Sequence, residues 1–291
     1  MRSVFTIWIL LCCFNVKAQS NDTLYLIFLG GQSNMAGLGK NKELPDSIQH
    51  YHFKSMIFQG NPVRNGDSTG GYGKWEQLKP GHGSGFAFKH EKNRLSHLFG
   101  IELGMAYYLE HQYPEKQFAF IKYAKGGSSL EPDLDQYGSW IDTTKINQLD
   151  FAIRTIDSAL VQLQHHATSK IILKPILIGW LQGETDACHQ KGVANYPKNI
   201  GVIMNALRLH LGYSKIPICI QTIHNPEAQC GVKTMPFYED LASVFHELPL
   251  QIPTTKILAP LNQVVFLKDL WHYTTESYLY LGQEFGKQCA F

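Results

Sequence analysis

Residues 24–37, with the sequence LYLIFLGGQSNMAG, constrain the fold of this chain more than any other segment. Six consecutive apolar residues open the segment and predict a strand buried on both faces, as in parallel sheets covered by helices. Two glycines end the run, and Ser33 follows at the carboxyl edge of the predicted strand, where open α/β sheets bind ligands. A serine in this turn can direct its hydroxyl into a cleft, or it can simply cap a helix.

Apolar runs along the chain predict strands, and segments with helical periodicity lie between them. The predicted strands are residues 23–29, 118–123, 171–179, 216–222 and 256–260, and the predicted helices are residues 102–111, 146–163, 199–211, 237–248 and 274–287. This alternation indicates an α/β fold, a three-layer αβα sandwich around a five-stranded parallel sheet. Residues 40–98 show no sustained period, and we expect a long excursion beside the carboxyl edge of the sheet rather than a second domain.

Three further segments carry groups suited to acyl transfer. Asp269 stands three residues before His272, so its carboxylate can fix one ring nitrogen and leave the other free as a base. Gln182 follows a predicted strand and offers a side-chain amide donor. Gly126 and Gly127 follow another strand and allow backbone N–H groups to approach a ligand closely. Right-handed crossovers would bring these groups to the same edge of the sheet as the serine.

Four blocks of the sequence resemble the SGNH hydrolases, and most closely the branch that holds carbohydrate acetylesterase family 6 and the sialate O-acetylesterases. The blocks are GQSNMAG at 31–37, AKGGSS at 124–129, WLQGETD at 180–186 and DLWH at 269–272, in the order of that branch. The resemblance implies the flavodoxin-like SGNH hydrolase fold. The chain departs from the pattern at Leu270 and Trp271, where small or aliphatic residues are more usual, and this difference concerns the shape of the pocket.

The resemblance also assigns roles to individual residues. It makes Ser33 the nucleophile, His272 the general base and Asp269 the residue that orients the base. It forms the oxyanion hole from the backbone N–H group of Ser33, that of a glycine, Gly127 in preference to Gly126, and the side-chain amide of Gln182. No metal and no organic cofactor is expected. Substrate binding falls to four neighbouring residues, namely Gln32, Asn34, Gly126 and Trp271.

These roles predict a serine esterase that removes O-acetyl groups from carbohydrates, of the acetyl xylan or sialic acid type, through an acetyl-enzyme. The expected partner is therefore an acetylated carbohydrate. Two alternatives stay open: a non-catalytic carbohydrate-binding protein on the same scaffold, and an SGNH lipase or thioesterase. Glu184 and Asp186 form a carboxylate pair that could suggest a glycosidase, but we expect both of them to brace the turn that holds Gln182.

The amino-terminal residues have the pattern of a signal peptide over residues 1–18, with Arg2, an apolar run over 4–14, and Ala18 at the cleavage site. That run is too short to cross a bilayer. We therefore expect residues 19–291 to form a single hydrolase domain that is secreted or periplasmic and has no membrane span. A net charge of +2 without a basic cluster gives no reason to expect nucleic-acid binding.

Export would permit disulfides, and the cysteines of the mature chain allow several pairings. Cys188 and Cys230 follow predicted strand ends that should be neighbours, so this pair is the most expected disulfide. Cys219 lies inside an apolar run and is expected to be a buried free thiol.

Overall fold

A computed structural model describes residues 23–166, 171–289 and 291 of the protein. The predicted signal peptide, residues 1–18, lies outside the described residues. In chain order, the strands are β1 (Thr23–Gly31), β2 (Gly39–Lys40), β3 (Met56–Gln59), β4 (Trp75–Gln77), β5 (Ala87–Lys89), β6 (Lys92–Arg94), β7 (Leu98–Phe99), β8 (Gln117–Ala124), β9 (Ile172–Leu181), β10 (Ile218–Gln221) and β11 (Thr255–Leu258). The α-helices are α1 (Ser33–Ala36), α2 (Asp46–Gln49), α3 (Ile101–Gln112), α4 (Gln148–His166), α5 (Gln190–His210), α6 (Glu227–Cys230), α7 (Tyr238–Gln251) and α8 (Thr275–Gly286).

The central sheet has the strand order β11-β10-β9-β1-β8-β3-β4, which makes seven strands within the described ranges. Neighbouring strands from β11 to β3 are parallel, and β4 pairs antiparallel with β3. The five predicted strands are all present and adjacent to one another, so the predicted α/β class is confirmed. The predicted five-stranded, purely parallel sheet is wrong, because the chain adds two strands and one of them is antiparallel.

Both added strands come from residues 40–98, the segment predicted to be an excursion. Strand β3 has only three apolar residues before Gln59, too few to give a periodic signal. It is buried because β8 pairs with one of its edges and β4 with the other. Strand β4 is a partly exposed edge strand, and the indole of Trp75 anchors it by donating to the carbonyl of Ala159 at 2.9 Å.

The sheet buries both of its faces, as the apolar character of β1 requires. Leu26 and Phe28 point to one face, where they pack with buried residues of α4, α5 and α7. Ile27 and Leu29 alternate to the other face, where α3 and α8 cover them. The helices therefore form two outer layers, one on each face of the sheet. No helix in the described part of the chain is both long and apolar enough to cross a membrane.

The predicted disulfide between Cys188 and Cys230 is wrong, because both residues are free thiols. Each thiol instead contacts a carbonyl four residues earlier in its own turn. The Cys188 Sγ donates to Glu184 at 3.3 Å, and the Cys230 Sγ donates to Pro226 at 3.1 Å. Cys219 is fully buried and unpaired, as predicted.

Candidate active site

Ser33 begins α1 directly beyond β1, at the carboxyl edge of the sheet. The turn that carries it runs against the neighbouring strand, because the backbone N–H of Gln32 donates to the carbonyl of Leu181 at 3.0 Å. At Gly31, which has a φ of +150°, a Cβ atom would lie 2.0 Å from that same carbonyl oxygen. Glycine at this position therefore allows the tight approach that brings the serine to the edge.

A cavity of about 690 Å³ opens beside Ser33, within the size range of small-molecule sites. Six of the predicted site residues line it, namely Gln32, Ser33, Gly126, Gly127, Trp271 and His272. The other four, Asn34, Gln182, Glu184 and Asp269, are not part of its lining. The fold therefore gathers the predicted nucleophile, the predicted base and the glycine block around one space, although they lie far apart in the sequence.

Asp269 holds the imidazole of His272 from one side. Its Oδ2 lies 2.7 Å from the His272 Nδ1, and its Oδ1 accepts the backbone N–H groups of Trp271 at 2.9 Å and His272 at 3.0 Å. Since an ionised carboxylate only accepts hydrogen bonds, Nδ1 carries the ring proton and Nε2 is left with its lone pair. No hydrogen bond to Nε2 is found within the described ranges, so this nitrogen is available to accept a proton.

The loop that carries this pair is bent sharply. Leu270 has a φ of +63°, a left-handed conformation that is unfavourable for a branched side chain. The two backbone hydrogen bonds to Asp269 stabilise the bend. Partial burial raises the pKa of Asp269, but the hydrogen bonds from the His272 ring and the two backbone N–H groups outweigh burial and hold the pKa below its ordinary value.

Backbone donors face Ser33 from the glycine block after β8. A Cβ built on Gly126 would lie 3.5 Å from the Ser33 Cβ, so the two backbones approach closely. Gly127 has a φ of +72°, and its carbonyl accepts from the Thr185 hydroxyl at 3.1 Å, which fixes the loop. Among the described residues, no acceptor pairs with the backbone N–H groups of Ser33, Gly126 or Gly127. These three donors are therefore free to bind a negatively charged oxygen.

Gln182 is fully buried, and its amide is engaged elsewhere. Its Nε2 donates to the carbonyl of Ser128 at 3.2 Å and to the Asp186 Oδ2 at 2.5 Å. An amide nitrogen has two N–H groups, so the predicted donation to an oxyanion has no free N–H in this arrangement. Asp186 also accepts the backbone N–H of Leu130 at 2.9 Å. Gln182 and Asp186 therefore brace the loop that follows the glycine block.

Asn34 lies behind the serine and connects it to the loop of the base. Its Nδ2 donates to the Glu184 Oε1 at 2.6 Å and to the carbonyl of Trp271 at 3.0 Å. Its Oδ1 accepts from the Tyr278 hydroxyl at 2.9 Å. The side chain is thus saturated by the protein, which differs from the substrate contact predicted for it. Burial raises the pKa of Glu184, and the hydrogen bond from Asn34 offsets this in part.

Of the two carboxylates expected to brace the turn of Gln182, Asp186 accepts from Gln182 itself, whereas Glu184 accepts from Asn34. The sequence placed residues 40–98 beside the carboxyl edge of the sheet but did not identify the residues there that form a wall of the cavity, namely Gln59, Pro62 and residues 83–86. It also missed Tyr137, which packs against Gly127. The glycines at 81, 83 and 85 were the available signal for a close backbone approach. In the described part of the chain, no group of three or more His, Cys, Asp or Glu side chains is arranged to hold a metal ion.

Solved structures with a similar fold align with 92% of this chain. A protein from Arabidopsis thaliana and NanS each align with a TM-score of 0.62 and 15% identity, and 97% of their own chains is covered. A carbohydrate acetylesterase from Xanthomonas citri aligns with a TM-score of 0.60 and 16% identity, and 55% of that chain is covered. At these identities the likeness shows a shared fold. Among curated protein sequences, none matches this chain.

A family model described as "SASA: carbohydrate esterase, sialic acid-specific acetylesterase" matches residues 23–290. The match spans the central sheet, both helical layers and every residue of the candidate site. It agrees with the resemblance that the four sequence blocks carry. The chain therefore belongs to the SASA family of carbohydrate esterases.

Proposed function

We propose that the protein is a serine esterase that removes O-acetyl groups from carbohydrates through an acetyl-enzyme. One observation carries the proposal: a single cavity is lined by Ser33, by His272 held at 2.7 Å by Asp269, and by a glycine block with unpaired backbone N–H groups. A nucleophile, an oriented base and oxyanion donors are the parts that acyl transfer requires. Membership of a carbohydrate esterase family supports the choice of substrate class.

In the acylation step, the Ser33 Oγ attacks the acetyl carbonyl carbon while the His272 Nε2 takes the hydroxyl proton. The carbonyl oxygen becomes an oxyanion, and the backbone N–H groups of Ser33, Gly126 and Gly127 stabilise it. The tetrahedral intermediate collapses when the bond to the sugar oxygen breaks. His272 returns its proton to that oxygen, so the sugar leaves as an alcohol and the acetyl group stays on Ser33.

In the deacylation step, a water molecule attacks the acetyl carbon and gives its proton to the His272 Nε2. Collapse of the second intermediate returns the proton to the Ser33 Oγ and releases acetate. Asp269 stabilises the imidazolium that forms in both steps and keeps the ring in the tautomer that the chemistry needs. The proposed substrates are sugars of the acetyl xylan or sialic acid type.

The test is the release of acetate from acetylated xylan and from O-acetylated sialic acid by the purified protein. Ser33→Ala should lower kcat by about 10⁴-fold or more, as expected when a catalytic triad loses its nucleophile. Ser47→Ala is the matched control, because Ser47 is exposed on α2 and outside the cavity lining. Near-full activity of the Ser33→Ala protein would exclude Ser33 as the nucleophile, and turnover of octanoyl esters in preference to acetyl esters would favour a lipase.

A further inference from the structure

Gln59 is a polar residue of the cavity wall that the esterase chemistry does not use. It ends β3, at the same edge of the sheet as Ser33. Its side chain lines the cavity although only 4% of the residue is exposed. A buried amide is costly unless its polar atoms find partners, so the contacts of its two ends are informative.

Within the described ranges, one end of the Gln59 amide has a hydrogen-bond partner and the other has none. The Oε1 lies 3.0 Å from the Nδ1 of His82, a fully buried ring. The Nε2 has no acceptor among the described residues, yet it is not one of the fully enclosed polar atoms without a partner, and the residue that carries it lines the cavity. Since Oε1 is fixed by the imidazole, the two N–H groups of Nε2 are held toward the space that a ligand would fill.

The imidazole that fixes Gln59 is itself held firmly. The carbonyl of His82 accepts from the buried Lys122 ammonium at 2.7 Å, and the ring stacks on Phe86 with centroids 5.6 Å apart. Burial and the charge of Lys122 lower the pKa of His82 to about 3. The ring is therefore neutral at neutral pH and has one N–H group. Because the amide Oε1 of Gln59 can only accept, the His82 Nδ1 carries this proton and donates it to the Oε1.

The position of Gln59 separates it from the reacting ester. Strand β8 lies between β1 and β3, so Gln59 and Ser33 are two strand spacings apart, about 10 Å across the sheet. An acetyl group bonded to the Ser33 Oγ is too short to cover that separation. A sugar ring with its substituent oxygens is long enough, and those oxygens are hydrogen-bond acceptors.

We infer that Gln59 is a specificity-determining residue, whose Nε2 donates to an oxygen of the sugar ring or its hydroxyls while Ser33 reacts with the acetyl group. This inference rests on the proposed function for its choice of ligand, an acetylated sugar. In this role Gln59 distinguishes acetylated sugars from simple acetate esters, because a simple ester is too short to extend from Ser33 to Gln59.

The first experiment compares two substrates in one variant. Gln59→Met keeps the length of the side chain and removes the amide. It should lower kcat/KM for the acetylated sugar by about tenfold, the effect of one lost neutral hydrogen bond, and leave kcat/KM for ethyl acetate within about twofold. Gln49→Met, at the exposed end of α2, is the matched control and should change neither value. Equal losses on both esters would overturn the inference.

The second experiment measures binding without turnover. The Kd of the same acetylated sugar is measured by calorimetry for Ser33→Ala and for Ser33→Ala/Gln59→Met, both checked for native circular dichroism. About tenfold weaker binding by the double variant supports the inference even if the wild-type protein hydrolyses neither ester, a result that would refute only the proposed function. Equal binding overturns the inference whatever the activity.

A third variant tests the direction of the hydrogen bond. Gln59→Glu keeps an oxygen for the His82 Nδ1–H but offers no N–H group to the cavity. It should lose discrimination between the acetylated sugar and ethyl acetate to at least the extent of Gln59→Met. Full discrimination by this variant would show that an acceptor suffices and would overturn the donor role.

Discussion

The two walls of the cavity are stabilised in different ways. The chemical wall, which includes Ser33, Gly127 and His272, is the wall that carries the proposed chemistry. It is formed by the turns that hold the sequence motifs, and side-chain amides and carboxylates connect these turns to one another. Asn34 is the centre of this wall, because it bonds both Glu184 and the carbonyl of Trp271. The substrate wall lies opposite and contains Gln59 and residues 83–86. It belongs to segment 40–98, and the buried ion pair between Lys122 and Glu102 holds it in position.

Lys122 is the centre of that second arrangement. Its Nζ donates to Glu102 at 2.6 Å, to the carbonyl of Ala36 at 2.9 Å and to the carbonyl of His82 at 2.7 Å. Ala36 ends the helix that begins with the proposed nucleophile, and His82 directly precedes residues 83–86 of the substrate wall. The comparison teaches that the sequence motifs mark the groups proposed to react, whereas the position of the other wall depends on backbone carbonyls that accept from the Lys122 ammonium.

The largest effect on the chemical wall is expected from Asp269→Asn. The new Oδ1 can still accept the backbone N–H groups of Trp271 and His272, so the loop should keep its bend. The new amide would instead donate to the ring and place the proton on Nε2, where it blocks the reaction. We expect kcat/KM for p-nitrophenyl acetate to fall by about 10³- to 10⁴-fold.

The matched variant is Asp269→Ala, which removes the backbone contacts as well as the charge. It should lose activity to a similar extent and also lower the Tm, whereas the Asn variant should keep the Tm of the wild type. If Asp269→Asn retains more than about a tenth of the wild-type kcat/KM, Asp269 serves as a brace of the loop and the proposed triad is incorrect.

The largest effect on the substrate wall is expected from Lys122→Met. The variant leaves the fully buried Glu102 without a counter-charge and two carbonyls without a donor. Breaking a buried ion pair in this way should lower the free energy of unfolding in urea by about 3–5 kcal/mol. The double variant Lys122→Met/Glu102→Gln removes the stranded charge and should regain a large part of the loss.

The same variants distinguish the effect of losing the two carbonyl contacts from the effect of breaking the Lys122–Glu102 ion pair. The double variant still lacks the ammonium that donates to the carbonyls of Ala36 and His82. The substrate wall should therefore be less well positioned even when the free energy of unfolding recovers. We expect its kcat/KM for acetylated sugars to stay lower than its kcat/KM for ethyl acetate, each relative to wild type. A double variant as unstable as Lys122→Met alone would contradict the assignment of the loss to the Glu102 charge.

Strand ends and short spacings are local features, so the sequence could predict that Ser33 and His272 come to the same edge of the sheet, where both line the cavity. The apolar run before Ser33, and the spacing of Asp269 and His272, need no knowledge of distant contacts. The same kind of reasoning failed for β3, whose three apolar residues become a strand only when β8 pairs with them. Its burial is a tertiary effect that overrides a weak local preference.

The sequence also could not predict which groups the side-chain amides of Gln182 and Asn34 contact. Gln182 follows a strand end as a donor should, and yet Ser128 and Asp186 take both of its N–H groups. Asn34 stands next to the serine, and yet it contacts Glu184, 150 positions away in the chain. Which polar group faces a ligand depends on such long-range pairings, and a motif alone carries no information about them.

The smallest effect is expected at Asp186, the carboxylate that braces the glycine-block loop through Leu130 and Gln182. Burial raises its pKa from an ordinary 3.8 to about 6, although the hydrogen bonds from Gln182, Leu130 and Glu131 oppose this. The folded protein therefore binds the proton more tightly than the unfolded chain. The tighter proton binding by Asp186 in the folded protein contributes to the free energy of unfolding. This contribution is fully present below pH 3.8 and is lost as the pH rises through about 6.

The test is the free energy of unfolding in urea, measured between pH 4 and pH 7 for the wild type and for Asp186→Asn. The carboxamide does not titrate, so the other groups of the protein contribute equally to both curves and cancel in their difference. The wild type should lose up to about 3 kcal/mol relative to the variant across this range, whatever the offset between the two proteins at pH 4. Parallel curves would mean that the hydrogen bonds offset the effect of burial and that folding leaves the pKa of Asp186 unchanged.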